Sequence, residues 1–276
     1  MQTAFITGAG SGIGRSLAHA LAAKGCAIYI TDINGENLAK VEQELKAKQV
    51  NVHARVLDVS KKDDVFAAAA DAEAKIGPID GMFNNAGISF SDLVVSHEYD
   101  DFEKVMDVDF WGVVHGTKAV LPKMIERGTG HVINISSIFG IIGVPSQAAY
   151  CAAKHAVKGF NESLFYELED TGVQVHSVHP GGVDTGIVKH GVHKNSLNGE
   201  VDREEMEQRF KDNARTTPDD AAKVILDGVA RGKYRILVGG DARLIDRLQR
   251  WMPNAWRKIF PRLMKGAFEG EEAAAK

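Results

Sequence analysis

Ser137, Tyr150 and Lys154 are the residues of this chain whose types and spacing could do chemistry. Tyr150 lies 13 positions after Ser137 and four before Lys154, and side chains four apart share one face of a helix. The Lys154 ammonium could there lower the pKa of the Tyr150 phenol from its ordinary value of ~10 toward working pH. We predict that Tyr150 is a general acid/base beside the Ser137 hydroxyl, and that a separate group must supply electrons.

A glycine-rich turn indicates where such a group would bind. The sequence TGAGSGIG, from Thr7 to Gly14, follows a predicted strand and opens a predicted helix. Glycine permits a tight turn, and the free N–H groups and dipole of a helix N-terminus favour a pyrophosphate. The spacing is not the standard G-x-G-x-x-G, and a purely structural turn is the alternative. The residues assigned to cofactor binding here are Gly8, Ser11, Gly12, Ile13 and Gly14.

Asp32 indicates which dinucleotide would bind. It stands 18 residues after Gly14, at the end of the second predicted strand. A carboxylate there accepts the ribose hydroxyls of NAD and repels the 2′-phosphate of NADP. Neither Ser11 nor Ile33 offers a cation for that phosphate. NAD is the expected cofactor, and the alternative role of Asp32 is to cap the following helix.

Two further strand ends belong to the same half of the chain. Asp58 and Val59 follow the third predicted strand, and Asp58 could bond an adenine edge. The fourth strand ends in FNNAG, whose Asn85, Ala86 and Gly87 form a small, flat turn against which a nucleotide could lie. Asn and Gly also form ordinary turns, but ligands of open α/β sheets bind at the carboxyl ends of strands.

These residues need a sheet to position them. Short apolar runs alternate with helical patterns, which is typical of a parallel sheet with helices on both faces. Right-handed crossovers then give a doubly wound α/β fold, one domain over residues 1–240. The charged segment 186–217 has little strand signal and is predicted to be a substrate loop, with Thr217 or Asp219 capping the next helix around Pro218. The predicted strands are TAFIT, CAIYIT, VHARVLD, IDGMFNN, HVINIS, VQVHSVHP and RILVG.

The composition excludes several classes of protein. A net charge of −4 over 276 residues gives no basic surface for nucleic acid. The sequence contains no apolar stretch long enough to span a membrane. The first predicted strand starts almost at the N-terminus, so we expect no signal peptide. The two cysteines, Cys26 and Cys151, fit a reducing compartment, and Cys151 is expected to pack in the core. We therefore expect a cytoplasmic protein, and no His, Cys or Asp cluster has the spacing of a metal site.

With these motifs together, the chain resembles the short-chain dehydrogenase/reductase family, in its compact, non-extended branch. The resemblance covers about residues 1–240 and rests on motifs that follow the family's order and spacing. They are TGAGSGIG (7–14), NNAG (84–87), Ser137, YCAAK (150–154) and HPGGVDT (179–185). It implies a single Rossmann-like domain with a seven-stranded parallel sheet, and NAD(P)-dependent interconversion of an alcohol and a ketone. We also expect a homodimer or homotetramer.

The resemblance also implies roles for individual residues. Ser137 would orient the substrate oxygen, Tyr150 would exchange its proton, and Lys154 would bind the nicotinamide ribose and lower the Tyr150 pKa. The stretch after the sixth strand would hold the nicotinamide. Those residues are Pro180, Gly181, Val183 and Thr185.

One position departs from the family pattern. The family carries an Asn in a V-N-x-x-G context, and this chain has Asp109 there, between Val108 and Gly112. That Asn holds a water that links the lysine to solvent. We expect Asp109 to keep the water and to strengthen the ammonium form of Lys154. The alternative is that it weakens or abolishes turnover.

The substrate is less well defined by the sequence. Residues expected near the nicotinamide are apolar and suggest an apolar alcohol or ketone: Ile138, Phe139, Val144, Ile187 and Val188. His190, His193 and Lys194 could bind a carboxylate, or could be solvated loop residues. Two rival functions are an NADPH-dependent reductase, for example of 3-oxoacyl thioesters, and a nucleotide-binding sensor that has lost turnover.

Residues 241–276 form a cationic, Trp-containing extension. Basic amphipathic helices of this kind can lie on membranes. We favour a pair of helices broken at Pro253 that packs on a partner subunit or over the substrate cleft. The final EGEEAAAK is expected to fray.

Overall fold

A computed structural model gives the fold and describes residues 1–197, 199–256, 258 and 260. Seven strands form one parallel sheet in the order β7-β6-β5-β4-β1-β2-β3. The strands are β1 (Thr3–Thr7), β2 (Ala27–Asp32), β3 (Val52–Val56), β4 (Gly81–Asn84), β5 (Gly130–Ile135), β6 (Val173–Pro180) and β7 (Arg235–Val238). The predicted seven-stranded, doubly wound fold is confirmed.

Helices cover both faces of the sheet and bury their apolar stripes against it. They are α1 (Gly12–Ala22), α2 (Gly35–Lys46), α3 (Lys62–Ile76), α4 (Tyr99–Met106), α5 (Gly112–Arg127), α6 (Ala148–Glu167), α7 (Arg203–Asn213), α8 (Pro218–Ala230) and α9 (Gly240–Trp251). A π-helical turn, Asp107–Trp111, joins α4 to α5, and a 3-10 turn, Ile138–Gly140, follows β5. All five residues of β1 are buried, as expected for a central parallel strand.

The strand order reverses between β1 and β4, which pair with each other. β2 and β3 lie on the far side of β1, and β5 lies on the far side of β4. At such a switch point the loops leave in opposite directions and open a crevice at the carboxyl ends of the strands. The residues predicted to do chemistry follow these strand ends.

The segment after β6 has more structure than the sequence indicates. It contains α7, whose cap Asp202 accepts a hydrogen bond from Glu205 N. This helix is mostly polar, so apolar periodicity does not reveal it. The segment also pairs with the core, since Val192–His193 lies parallel to Phe90–Ser91. Of the two candidate caps, Thr217 is the N-cap of α8, and its side chain accepts from Asp220 N.

The extension packs on its own chain. After α9 ends, a second helical stretch starts at Pro253. Trp256 and Phe260 are buried in an apolar cluster with Ile138, Ile141, Ile142, Val144 and Cys151, behind the loop that carries Ser137. The predictions for EGEEAAAK fall outside the described residues. Among the described residues, no helix is long and apolar enough to cross a membrane.

Candidate active site

One cleft of about 1360 Å³ lies at the carboxyl edge of the sheet, at the switch point. It collects most of the residues singled out from the sequence. Its lining includes Gly8, Ser11, Gly12, Ile13, Asp32, Asp58, Val59, Asn85, Ala86, Gly87, Ser137, Ile138, Phe139, Tyr150, Lys154, Pro180, Gly181, Val183, Thr185, Ile187 and Val188. Three predicted residues lie outside the lining. Gly14 lies behind the glycine turn and Asp109 behind Lys154. Val144 lies in the apolar cluster.

Tyr150 and Lys154 lie one turn apart on α6, with the Lys154 Nζ 5.5 Å from the centre of the Tyr150 ring. Lys154 is 2 % exposed, and its ammonium donates to the carbonyl of Ile135 at 3.3 Å. The ring of Phe139 meets the Tyr150 ring edge-on, with centroids 6.2 Å apart. The phenol and the ammonium are thus held together on one helix face at the cleft wall.

Ser137 begins the 3-10 turn after β5. Its Oγ accepts from Phe139 N at 3.1 Å, and its carbonyl accepts from Gly140 N at 3.0 Å. The Ser137 side chain also lowers the Tyr150 pKa, because it favours the ionised phenol. The turn therefore fixes the serine whose hydroxyl acts on Tyr150.

Asp109 lies on the π-helical turn and is fully buried. Its Oδ2 is 3.1 Å from Lys154 Nζ, and its Oδ1 accepts from Ile88 N at 2.8 Å. A Cβ at Gly87 would lie 3.2 Å from Asp109 Oδ2 and 3.3 Å from Lys154 Nζ, so the glycine leaves room for the ion pair. Single π-helical turns often occur at functional sites because they reorient one side chain.

The charges of this group act in opposite directions on Tyr150. Burial raises its pKa above the ordinary value of 10.0, Lys154 opposes the rise, and Asp109 adds to it. Burial lowers the Lys154 pKa, but Asp109 and Tyr150 outweigh burial and the net shift is upward. Burial raises the Asp109 pKa against the attraction of Lys154. The expected net lowering of the Tyr150 pKa is therefore wrong for the free site, because burial and Asp109 exceed the effect of Lys154.

The glycine turn fits a pyrophosphate. Gly8 has a φ of +65°, and a Cβ there would lie 2.8 Å from Ala86 Cα. A Cβ at Gly14 would lie 2.2 Å from the Gly8 carbonyl oxygen, which explains why Gly14 packs behind the turn. Asn85 Nδ2 donates to Thr7 O and Gly8 O at 2.9 and 3.1 Å and fixes the turn. The cap Ser11 makes no side-chain cap bond, so the first N–H groups of α1 open on the cleft.

Asp32 is fixed by backbone donors at the other end of the cleft. Its Oδ2 accepts from Gly10 N and its Oδ1 from Asn34 N, both at 2.8 Å. Asn34 caps α2, so the alternative of Asp32 as the helix cap is wrong. Each carboxylate oxygen keeps a lone pair for a ribose hydroxyl. Asp58 similarly accepts from Ser60 N at 3.0 Å through Oδ1.

Several lining residues carry no sequence signal. Met206 and Phe210 reach the cleft from α7, which the apolar pattern does not predict. Gln147 donates to Ser91 Oγ and both line the cleft. Asp241 accepts from Gly182 N at 2.7 Å, so the extension contributes to the site from its first turn. Only the tertiary fold brings these residues together.

Known proteins similar to this chain agree on its class. A family model described as short chain dehydrogenase matches residues 2–196. A Mycobacterium tuberculosis protein that carries the name oxidoreductase SadH is 41 % identical over 260 residues, or 94 % of this chain and 93 % of that protein.

Solved structures share the fold over nearly the whole chain. A short-chain dehydrogenase/reductase from Burkholderia phymatum in complex with NAD has a TM-score of 0.85 and 27 % identity, covering 92 % of this chain and 94 % of that one. A single-residue variant of actinorhodin polyketide ketoreductase with NADPH has a TM-score of 0.77 and 31 % identity, covering 87 % and 97 %. With the glycine turn and the Ser137, Tyr150 and Lys154 cluster in one cleft, these similarities show that the chain is an oxidoreductase of the short-chain dehydrogenase/reductase family.

Proposed function

We propose that this protein interconverts a secondary alcohol and a ketone with NAD, using Tyr150 as the acid/base. The observation that carries the proposal is the shared cleft. Tyr150, Lys154 and Ser137 line the same cleft as the glycine turn and Asp32. A proton-transfer group and a dinucleotide site are the two halves that a hydride transfer needs.

Bound NAD would accept hydride from the alcohol carbon, or as NADH return it to the ketone. The chain's own groups handle the proton and the oxygen. In oxidation, Tyr150 takes the alcohol proton, and in reduction it gives that proton back. Ser137 donates a hydrogen bond to the substrate oxygen as its charge changes. The raised Tyr150 pKa keeps the phenol protonated at neutral pH, which favours ketone reduction there and oxidation at alkaline pH.

Lys154 and Asp109 set the charge behind the phenol. The Asp109 carboxylate raises the Lys154 pKa, as expected from the sequence, and so keeps the ammonium charged in a buried site. The ammonium in turn favours the phenolate and would bond a nicotinamide ribose. An inactive sensor protein is the alternative, and the intact Ser137, Tyr150 and Lys154 contacts argue against it.

Asp32 supports NAD over NADP. Its carboxylate lines the cleft, with Ile33 and Asn34 beside it and no cation at either position. The test is the ratio of kcat/KM with NAD to kcat/KM with NADP. We expect the ratio to exceed one in the wild type and to fall about tenfold, the factor that ~1.4 kcal/mol makes, in Asp32→Asn.

Asp58→Asn is the matched control for this test, because it removes one carboxylate from the adenine end, which NAD and NADP share. It should leave the ratio unchanged. A wild type that prefers NADP would contradict the NAD assignment and favour the rival NADPH-dependent reductase.

Apolar residues of the cleft support an apolar substrate. Phe139 packs edge-on against Tyr150, and Ile187, Val188, Met206 and Phe210 line the same cleft. The lining of the whole cleft carries more carboxylates than cations, with Asp100, Glu103 and Asp107 among the carboxylates. Like charges disfavour anionic substrates such as nucleotide-linked thioesters. A panel of 2-butanol, 2-octanol, cyclohexanol and 1-phenylethanol with NAD at alkaline pH tests this. Activity confined to charged substrates would contradict it.

A homo-oligomer is part of the same proposal. The outer surface of the π-helical turn and α6 exposes Trp111, Phe165 and Tyr166, with exposed fractions of 47, 45 and 73 %. Large exposed aromatic side chains are typical of protein interfaces. Light scattering after size exclusion should give a dimer or tetramer mass, and a monomer at micromolar concentration would contradict this part.

A further inference from the structure

A row of buried polar side chains runs beneath the cleft, outside the chemistry described above. Its members are each 2 % exposed or less and come from α5, β4, β5, α6 and β6, and none lines the cleft: Thr117, Asn84, Asn134, Asn161, Ser177 and His179. Burying so many polar groups costs free energy unless they are hydrogen-bonded to one another. The function of the row therefore depends on the residue that its last hydrogen bond holds in place.

From Asn84 onward the donors of this row all point toward Ser137, and Asn84 Nδ2 donates to Asn134 Oδ1 at 2.8 Å. Asn134 Nδ2 donates to Asn161 Oδ1 at 2.6 Å, and Asn161 Nδ2 donates to Ser177 Oγ at 3.0 Å. Ser177 Oγ lies 3.0 Å from His179 Nε2, and His179 Nδ1 lies 3.1 Å from the Ser137 carbonyl oxygen. A carbonyl oxygen only accepts, so His179 must carry its proton on Nδ1. In the neutral ring Nε2 then accepts, and the Ser177 hydroxyl donates to it.

His179 stays neutral at working pH. Burial lowers its pKa to about 4, although the bond to the Ser137 carbonyl and the charge of Asp246 oppose the shift. The charges of Arg235 and Lys158 add to the lowering. The ring can therefore act as one donor and one acceptor, and its tautomer depends on its two neighbours.

Ser137 is where the row ends. The imidazole holds its carbonyl from beneath, while the N–H groups of Gly140 and Phe139 hold its carbonyl and Oγ from the turn. These contacts fix the backbone and the hydroxyl of Ser137, whose side chain favours the ionised Tyr150 phenol. A misplacement of about 1 Å at a reacting group can cost on the order of 100-fold in rate.

We propose that His179 is a positioning residue. Ser177 selects the His179 tautomer that is protonated at Nδ1, and this Nδ1–H fixes the Ser137 carbonyl. The inference rests on the proposed catalytic role of Ser137. His179 lies outside the cleft, so it acts through Ser137 and not on the substrate.

A double-mutant cycle on kcat tests this, with NAD and the fastest alcohol of the panel above. His179→Leu removes the donor and should lower kcat about 10- to 100-fold. Asn reaches about as far as Nδ1 and keeps an N–H donor, so His179→Asn should recover most of the loss. Ser177→Ala should lower kcat in the wild type but not in the His179→Asn background, because an amide has no tautomer to select. Equal kcat in wild type and His179→Leu, or additive effects of Ser177→Ala and His179→Asn, would overturn the proposal.

The His179 tautomer can also be measured directly by NMR. This measurement depends neither on activity nor on whether the His179→Leu variant folds. In protein labelled with ¹⁵N-histidine, the His179 signal, assigned by its absence in His179→Asn, should show a protonated Nδ1 and a bare Nε2. Ser177→Ala should shift it toward Nε2–H. An Nε2–H tautomer in the wild type would overturn the inference.

Ser137→Ala separates this inference from the proposed function. If Ser137→Ala keeps full kcat, the catalytic role of Ser137 fails. If Ser137→Ala loses kcat while both His179 variants keep it, only the positioning role fails. The proposed function and the positioning role together predict that His179→Leu causes no further loss of kcat in the Ser137→Ala background.

Discussion

Replacing Asp109 with Asn removes one charge from a fully buried ion pair and changes few atoms. The Lys154 and Asp109 side chains are 3 % and 0 % exposed and their charged atoms lie 3.1 Å apart. Asn can still accept from Ile88 N through its carbonyl, but its amide N–H groups then face the Lys154 ammonium. The ammonium keeps its bond to the Ile135 carbonyl, at 3.3 Å, and loses its anionic partner.

The expected cost follows from that geometry. At 3.1 Å and an effective dielectric constant of about 20, the gross attraction of the pair is about 5 kcal/mol. Removing one partner of a buried pair costs about 3–5 kcal/mol, because the other charge stays buried and unpaired. We therefore expect the free energy of unfolding of Asp109→Asn to fall by about 3–5 kcal/mol at pH 7.

The same change should move the pH profile of oxidation. Asp109 raises the pKa values of both Tyr150 and Lys154, so Asn lowers both. The active form needs the Tyr150 phenolate and the Lys154 ammonium, so the acid and alkaline limbs of kcat should both shift to lower pH.

Urea unfolding and kcat from about pH 6 to 11 measure these effects. Glu42→Gln is the control, since it removes a charge from a partly exposed pair on α2, Glu42–Lys46, and should cost less than about 0.5 kcal/mol. An Asp109→Asn protein as stable as the control, with unmoved limbs, would refute the reasoning. An inactive parent that Asn revives would instead support the sensor alternative.

Two further predictions concern the extension and the histidines. Trp256→Ala should lower the free energy of unfolding by about 3–5 kcal/mol, because Trp256 is 6 % exposed in the cluster behind Ser137. The control is Trp251→Ala, which should cost less than about 0.5 kcal/mol because Trp251 is 86 % exposed. Equal losses in the two variants would contradict this packing. Burial lowers the His176 pKa to about 4 in the folded state, against about 6.5 in the unfolded state. As the pH falls from about 6.5 to about 4, the unfolded state therefore binds a proton that the folded state does not, and stability is lost. His176→Asn should therefore reduce the loss of unfolding free energy between pH 8 and pH 5, in urea melts, by about 2 kcal/mol, and an unchanged loss would contradict a buried neutral His176.

The sheet and the cofactor turn could be predicted because their signals are local. Each of the seven strands is an apolar run bounded by turn residues, and the glycine turn fills a short stretch between a strand and a helix. The helix α7 could not be predicted in the same way, because its few apolar residues, Met206 and Phe210, face a cleft and not a core.

The electrostatic part of the site needed the structure. The Tyr150–Lys154 spacing correctly indicates a shared helix face, but the direction of the Tyr150 pKa depends on burial and on Asp109, which lies 41 positions earlier. The row from Asn134 to His179 likewise joins elements far apart in sequence, and no local pattern marks it.

The most direct test of the proposed chemistry is the turnover of Tyr150→Phe, measured beside its binding of NADH by nucleotide fluorescence. Phe keeps the ring that packs against Phe139 and removes only the hydroxyl that would carry the proton. We predict that kcat falls at least about 100-fold, the lower range for losing a general acid/base, while the Kd for NADH changes less than about threefold, under ~1 kcal/mol. Turnover equal to that of the wild type, with NADH still bound, would contradict the account.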